Sequence, residues 1–170
     1  MKKLIKANDD FEQRTASRIG DAKFKTQLSS YLESTVEDYF ESVYGNKYKE
    51  ITKIKSSFQN SDWLGLMPSS ANSDVYFLHV YYKSEYYEMD VPLAFVEINY
   101  DDDQIFDMKF VSVGMSDNVM SEYEYEDIYV DRTVENIKHL VQTYKSELLK
   151  VLKDAKKVMD RQMKVHQEHV

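Results

Sequence analysis

Apolar residues in the first quarter of the chain recur at the period of a helix. Between residues 21 and 44 they lie at three- and four-residue spacings along one helical face: Phe24, Leu28, Tyr31, Leu32, Val36, Tyr39, Phe40 and Val43. Asp21 is suited to cap the start of this helix, and Gly45 is suited to end it in a left-handed conformation. The pattern predicts a helix over residues 21–44 after a shorter one over residues 9–19, so residues 1–45 form a helical N-terminal part.

The middle of the chain has the composition of a sheet. Residues 75–83, 91–100 and 105–113 are rich in β-branched and aromatic side chains, which predicts three strands. The connections between these segments are short, so neighbouring strands are expected to be antiparallel. Residues 121–129 alternate tyrosine with acid, as in an edge strand with one face in water.

Two segments before these strands are less regular. Residues 48–58 fit a helix by the spacing of Ile51, Ile54 and Phe58, but their threonine and isoleucine content favours a strand. Residues 59–74 hold many turn-forming residues around Trp63, which predicts a long, partly anchored loop. Residues 46–130 therefore predict an antiparallel sheet of four or five strands.

The last quarter of the chain carries the most regular pattern. After the capping residues Asp131 and Thr133, apolar residues follow at steps of four and three: Ile137, Val141, Tyr144, Leu148, Val151, Ala155 and Val158. This pattern predicts one helix over about residues 131–165, roughly 50 Å long at 1.5 Å per residue. This C-terminal part, residues 131–170, is expected to pack on the sheet. Its end is expected either to fray or to project.

Two interpretations of this helix stay open. Its apolar stripe can be an ordinary core face, or it can be a seam that pairs with a second copy of the chain. The seam would consist of Tyr144, Leu148, Val151, Ala155 and Val158. In either case the order of elements predicts a single α+β domain over residues 1–170, with helices on one face of an antiparallel sheet.

Composition narrows the possible chemistry. The 170 residues include no cysteine, which excludes disulfide scaffolds, thiolate metal sites and cysteine nucleophiles. Polar residues follow Met1–Lys6 at once and no long apolar run occurs, so we expect no signal peptide, no membrane span and a cytoplasmic location. The high lysine and tyrosine content is typical of low-GC bacteria and of their phages and mobile elements.

Charge is distributed very unevenly along the chain. The net charge is −8, yet residues 85–131 contain fourteen acids and a single base, Lys109, while the last helix is basic. One interpretation is a solvated face that the protein's own basic helix neutralises. The other is an acidic surface that binds a basic surface of another protein. That surface would comprise Asp101, Asp102, Asp103, Asp107, Glu122, Tyr123, Glu124, Tyr125, Glu126 and Asp127.

The preferred functional hypothesis follows from this acidic, tyrosine-rich middle. We expect a non-enzymatic interaction protein of the inhibitor, anti-defence or immunity type, which masks a basic surface of a partner, for example one that otherwise binds nucleic acid. Direct binding to nucleic acid is not expected because the acidic charge repels phosphate. A homodimer through the last helix is compatible with this hypothesis, and no cofactor or metal is expected.

A small-ligand or catalytic domain is the first alternative. It would place an aromatic pocket between the sheet and the last helix, lined by some of Phe77, Tyr81, Phe95, Phe106, Phe110 and Tyr144.

A metal-dependent nuclease is the second alternative. Asp90 followed by Glu97 and Asn99 is similar to the metal site of restriction-type nucleases, although Asn99 stands where those enzymes carry lysine. His79 is interpreted as a sheet histidine, and His166 and His169 lack further ligands that would complete a metal site.

Overall fold

The elements follow one another as helices, a meandering sheet and two further helices. The computed structural model describes the backbone of residues 2–60, 74–84, 88–114 and 118–168, with side chains for residues 20–59, 74–84, 88–114 and 118–165. In chain order the elements are α1 (Lys2–Tyr44), α2 (Tyr48–Ile51), β1 (Thr52–Asn60), β2 (Asp74–Ser84), β3 (Met89–Tyr100), β4 (Gln104–Val113), β5 (Val119–Tyr125), β6 (Val130–Asp131), α3 (Val134–Thr143) and α4 (Lys145–Glu168). The α+β class predicted from the sequence is confirmed.

Helix α1 is longer than the sequence predicts. Two helices were expected with a boundary at Asp21, but α1 runs without interruption for 43 residues. Asp21 does not cap a helix, because its carboxylate binds Arg132 at 2.7 Å and Lys25 at 3.2 Å. The predicted end is confirmed: Gly45 has a φ of +65°, a left-handed conformation that glycine adopts without steric cost.

The sheet is an antiparallel meander in the order β1-β2-β3-β4-β5, and β6 pairs with the start of β4. Residues 48–58 divide between the short helix α2 and strand β1, so the favoured strand is right from Thr52 onward. The edge strand predicted over residues 121–129 is confirmed as far as Tyr125, the end of β5. Of the loop predicted over residues 59–74, residues 59, 60 and 74 belong to β1 and β2, and the part around Trp63 lies outside the described residues.

The predicted single C-terminal helix is two helices. Tyr144 separates α3 from α4 with φ −107° and ψ 23°, and its ring stacks on Tyr125 of β5 with the centroids 3.7 Å apart. The Tyr144 amide still donates to the Leu140 carbonyl, and the Leu148 amide donates to the Tyr144 carbonyl. The apolar spacing therefore continues through the break and conceals it. The N-cap of α3 is Thr133, whose hydroxyl accepts from the Asn136 amide at 3.1 Å, whereas Asp131 belongs to β6.

Helices α1 and α4 pack on one face of the sheet. We call this the inner face; its strand residues include Tyr76, Leu78, Val96, Ile98 and Phe110, all of which are buried. Helix α1 contacts β1 and β2, and α4 contacts β3, β4 and β5. The opposite face of the sheet, the outer face, carries alternate strand residues such as Phe77, Phe95 and Glu97. None of the described helices is long and apolar enough to span a membrane.

The predicted seam is part of this core. Leu148, Val151, Ala155 and Val158 are each at most 5% exposed, since they belong to the chain's own hydrophobic core. Tyr144 is half-buried against Tyr125. Four of these five side chains are therefore buried within one chain, and pairing of two copies through the last helix stays a prediction.

Candidate interaction surface

The acidic residues of the middle strands meet on the outer face. Strand register places Glu97 of β3 beside Lys109 of β4, and Lys109 beside Glu124 of β5. Asp107 and Glu122 share this face because residues two apart on a strand point the same way. Glu126 follows directly after β5. We call Glu97, Asp107, Glu122, Glu124 and Glu126 the acidic patch.

Lys109 is the base within the acidic patch. Its ammonium lies 2.9 Å from a Glu122 carboxylate oxygen. The hydrogen bond that Lys109 donates to Glu122 raises the pKa of Lys109, with further attraction from Glu124 and Glu97. The lysine therefore stays charged and neutralises one of five carboxylates.

The remaining carboxylates repel one another. Burial raises the pKa of Glu97, and the nearby Asp107 and Glu124 carboxylates raise it further, against the attraction of Lys109. The neighbouring Glu124 raises the pKa of Glu126, with smaller effects of Asp127 and Asp107. The Asn99 amide partly relieves this repulsion by donating to Asp107 at 2.5 Å and to Glu97 at 3.4 Å. The patch thus holds more negative charge than its own contacts neutralise.

Replacing Glu97 with glutamine is expected to stabilise the protein. A carboxyl group whose pKa is higher in the folded state than in the unfolded state stabilises the folded protein fully below its unfolded pKa. This stabilisation is lost as the pH rises through the folded pKa. At pH 7 the Glu97→Gln variant should therefore have a free energy of unfolding about 0.5 kcal/mol higher. Urea denaturation at pH 7 and pH 4 measures the difference, which should shrink at pH 4.

Glu41→Gln, on the exposed side of α1, is the matched control and should leave stability unchanged. A destabilised Glu97→Gln variant at pH 7 would contradict the repulsion inferred for the patch.

The three consecutive acids of the β3–β4 turn have different roles. A carboxylate oxygen of Asp101 accepts hydrogen bonds from the amides of Asp103 and Gln104, both at 2.7 Å, and so fixes the turn. The Asp103 carbonyl accepts from the Arg132 amide at 2.9 Å. The side chains of Asp102 and Asp103 are exposed. Asp102 and Asp103 thus offer charge at the turn, whereas Asp101 is structural.

The tyrosines predicted to share the acidic surface lie on the other face. Tyr123 and Tyr125 alternate with Glu122 and Glu124, so β5 directs them inward towards α4. The Lys150 ammonium lies 5.9 Å from the Tyr123 ring centroid, and Tyr125 packs between Phe110 and Tyr144. The structure places both tyrosines against the protein's own helix, away from the outer-face acids. Asp127 is exposed beyond β5.

An aromatic band lies beside the acidic patch on the outer face. It consists of Phe77, His79 and Tyr81 on β2 and Phe95 on β3, all half-buried. The Phe77 ring centroid lies 5.5 Å from that of His79 and 6.2 Å from that of Phe95. Burial lowers the pKa of His79, with repulsion from Lys55 adding to the effect, so this ring is neutral at pH 7.

The six rings considered for a pocket between sheet and last helix do not lie together. Phe77, Tyr81 and Phe95 belong to the outer face, whereas Phe110 and Tyr144 pack on the inner side against Tyr125. Phe106 packs edge-on against Tyr129, 5.8 Å between centroids. The six residues therefore cannot line one cavity.

A cleft of about 400 Å³ is found elsewhere, between α1 and the last two helices. Its wall includes Tyr31, Tyr39, Gln142, Lys145 and Leu149, and it includes none of the six residues predicted for an aromatic pocket.

The residues of the nuclease-like motif do not converge. Asp90 and Glu97 are seven residues apart on β3, roughly 20 Å at about 3.3 Å per residue. Asp90 binds Lys53 at 3.1 Å instead. Within the described parts of the chain, no group of three or more histidine and acid side chains is arranged to hold a metal ion.

Sequence reasoning missed Glu97 as a member of the patch and missed the aromatic band. Strand β3 carried a usable signal, since Phe95, Glu97 and Asn99 alternate in step and must share a face. Strand β2 carried no such signal in its sequence, because both of its faces are largely apolar. The chain matches no protein-family model, no curated protein and no solved structure.

Proposed function

We propose that the chain is a non-enzymatic interaction protein that binds a basic surface of a partner protein through the acidic patch. It acts in the cytoplasm as an inhibitor, anti-defence or immunity-type factor of a phage or mobile element. The partner's basic surface is one that otherwise holds nucleic acid, whose negative charge the patch imitates. Asp102, Asp103 and Asp127 extend the negative field near the start of β4, where the β3–β4 turn and the segment after β5 lie.

One observation carries this proposal: the carboxylates of β3, β4 and β5 gather on the face of the sheet opposite α1 and α4. The alternative, a patch neutralised by the basic last helix, requires that helix to lie near the acids. Helix α4 packs on the inner face instead, on the other side of the sheet. Lys109 is the base that neutralises part of the patch from within.

The electrostatics define how such a surface would bind. Unpaired carboxylates in water attract a basic partner over about one Debye length, roughly 8 Å at physiological ionic strength. Association should therefore be fast at low salt and should weaken as salt is added. Neutralising the patch should reduce both the affinity and its dependence on salt.

The variant Glu122→Gln, Glu124→Gln, Glu126→Gln tests the proposal. The tagged wild type is incubated with lysate of a low-GC bacterium at 50 and 500 mM NaCl, and retained proteins are identified. We expect one dominant basic partner that is retained at low salt and released at high salt. The affinity of the triple variant for that purified partner should be at least about tenfold lower at 50 mM NaCl, because three rim charges are lost.

The control variant carries the same number of neutralised acids on the helical side: Asp38→Asn, Glu41→Gln and Glu50→Gln, all of which replace exposed side chains. It has the same net charge as the test variant and should bind like the wild type. Equal losses in both variants would show that net charge alone matters. An unchanged affinity of the test variant would refute the proposal.

A further inference from the structure

The aromatic band and the acidic patch meet at one point on the outer face. Phe77 of β2 is the direct cross-strand partner of Glu97 of β3. Cross-strand partners have Cβ atoms about 5 Å apart. Phe95 lies two residues before Glu97 on the same face of β3, about 7 Å along the strand. Two aromatic rings, 6.2 Å apart between centroids, therefore adjoin a carboxylate.

Two rings beside a carboxylate suit the guanidinium of arginine better than the ammonium of lysine. A guanidinium is planar, so it can stack on a ring while its edge donates two parallel hydrogen bonds to a carboxylate. An ammonium is a compact, strongly hydrated charge that makes no planar stack and no bidentate pair. A surface of carboxylates alone would accept either cation, whereas rings beside a carboxylate favour arginine.

The neighbouring residues keep this point available to a cation. His79 stacks beside Phe77 and is neutral at pH 7, so it does not repel positive charge. Lys109 faces Glu97 across β3 and β4 but pairs with Glu122, on the side away from the rings. On the other flank, the exposed Lys55 lies opposite His79, two strands from Glu97.

Aromatic side chains on a sheet also bind the bases of single-stranded nucleic acid. Such platforms combine stacking with a positive groove that follows the phosphates. Here the rings adjoin Glu97 at the edge of the acidic patch, which holds five carboxylates and one internal lysine, so a phosphate chain would be repelled. The charge therefore favours a cationic protein segment.

We infer that the outer face binds an arginine-bearing segment of a partner protein, with a guanidinium stacked on Phe77 or Phe95 and paired with Glu97. This inference rests on the proposed function and adds to it the chemistry of the partner. It assigns the acidic patch to attraction and the aromatic band to selection of arginine over lysine.

Two synthetic peptides of equal length and charge test the inference. Each alternates four cationic residues with serine, one with arginine and the other with lysine, and binding is measured by amide chemical shifts and fluorescence anisotropy at 50 mM NaCl. We expect the arginine peptide to bind about tenfold more tightly, from stacking and bidentate pairing together. The largest shifts should be at Phe77, Phe95 and Glu97.

The variant Phe95→Leu keeps an apolar side chain but removes one ring. It should lower the affinity for the arginine peptide severalfold and leave the lysine peptide unaffected. Phe58→Leu, the same change on the inner side of β1, is the control and should affect neither peptide.

The outcomes separate this inference from the proposed function. Equal binding of both peptides that is lost in the triple glutamine variant would overturn arginine selection and support the acidic surface. Binding of neither peptide would overturn both. Tighter binding of a single-stranded oligonucleotide than of the arginine peptide would overturn the inference in favour of a nucleic-acid platform.

Discussion

Replacing Leu148 with alanine is expected to lower the free energy of unfolding by about 3 kcal/mol. Leu148 is 1% exposed and belongs to the core beside the cleft between α1 and the last two helices. The shorter side chain leaves a cavity and loses the hydrophobic contribution of three carbon atoms. Urea denaturation, monitored by circular dichroism, measures this change in the free energy of unfolding. The change should not depend on protein concentration.

The same variant separates a core residue from a seam residue. Were Leu148 at a seam between two copies, the wild type would unfold at a urea concentration that rises with protein concentration, and the variant would lose that dependence. Leu149→Ala, a half-buried neighbour at the wall of the helical cleft, is the control and should cost about 1 kcal/mol. Sedimentation of both variants at two concentrations completes the comparison.

The variant Arg132→Ala is expected to lose about 2 kcal/mol of stability. The Arg132 side chain is 14% exposed, and its guanidinium donates to Asp21 of α1 at 2.7 Å. It also lies over the rings of Phe24 and Tyr100, at 4.8 and 5.9 Å from their centroids. One side chain thus joins α1, β3 and the segment before α3, and thermal and urea denaturation measure its contribution.

The pH dependence of this loss has a defined sign. Partial burial raises the pKa of Asp21, but the hydrogen bonds from Arg132 and Lys25 outweigh it, so the pKa lies below its usual 3.8. The pair therefore stabilises above the unfolded pKa and loses its contribution as the pH falls through the lower folded value. The difference between wild type and Arg132→Ala should be constant from pH 5 to 7 and should shrink below pH 4.

Two further variants identify what Arg132 contributes. Arg132→Lys keeps the charge but loses the planar stack, so it should recover less than half of the stability. Lys25→Ala removes the more exposed partner of Asp21 and should change stability by about 0.5 kcal/mol or less. A loss for Lys25→Ala equal to that for Arg132→Ala would contradict the role of ring stacking.

Periodicity predicted the elements better than their ends. The helical face of α1 and the strands β2, β3 and β4 were visible because each pattern spans many residues. Where α1 passes Gly20, Asp21 binds Arg132, which lies 111 residues away in the chain. At the break between α3 and α4, Tyr144 stacks on Tyr125 of β5. Both are tertiary contacts, and no local pattern records them.

The candidate surface was predicted in part, for a similar reason. The excess of acids over residues 85–131 is a property of the sequence, but their distribution over two faces and a turn is a property of the register. Alternation along β5 was sufficient to place Tyr123 on one face of the sheet and Glu122 and Glu124 on the other. The contact between Phe77 and Glu97 needed the pairing of β2 with β3, which depends on a bulge at Val80 and Tyr81.

The order of strands has a consequence for synthesis of the chain on the ribosome. Each strand from β2 to β5 pairs with the one made just before it, so the sheet can assemble in hairpin steps as it emerges. Helix α1 is already present to shelter β1 and β2, but the apolar side chains of β3 and β4 wait for α4. During that interval the carboxylates of β5 act as gatekeepers, because like charges on the growing edge disfavour association between nascent chains.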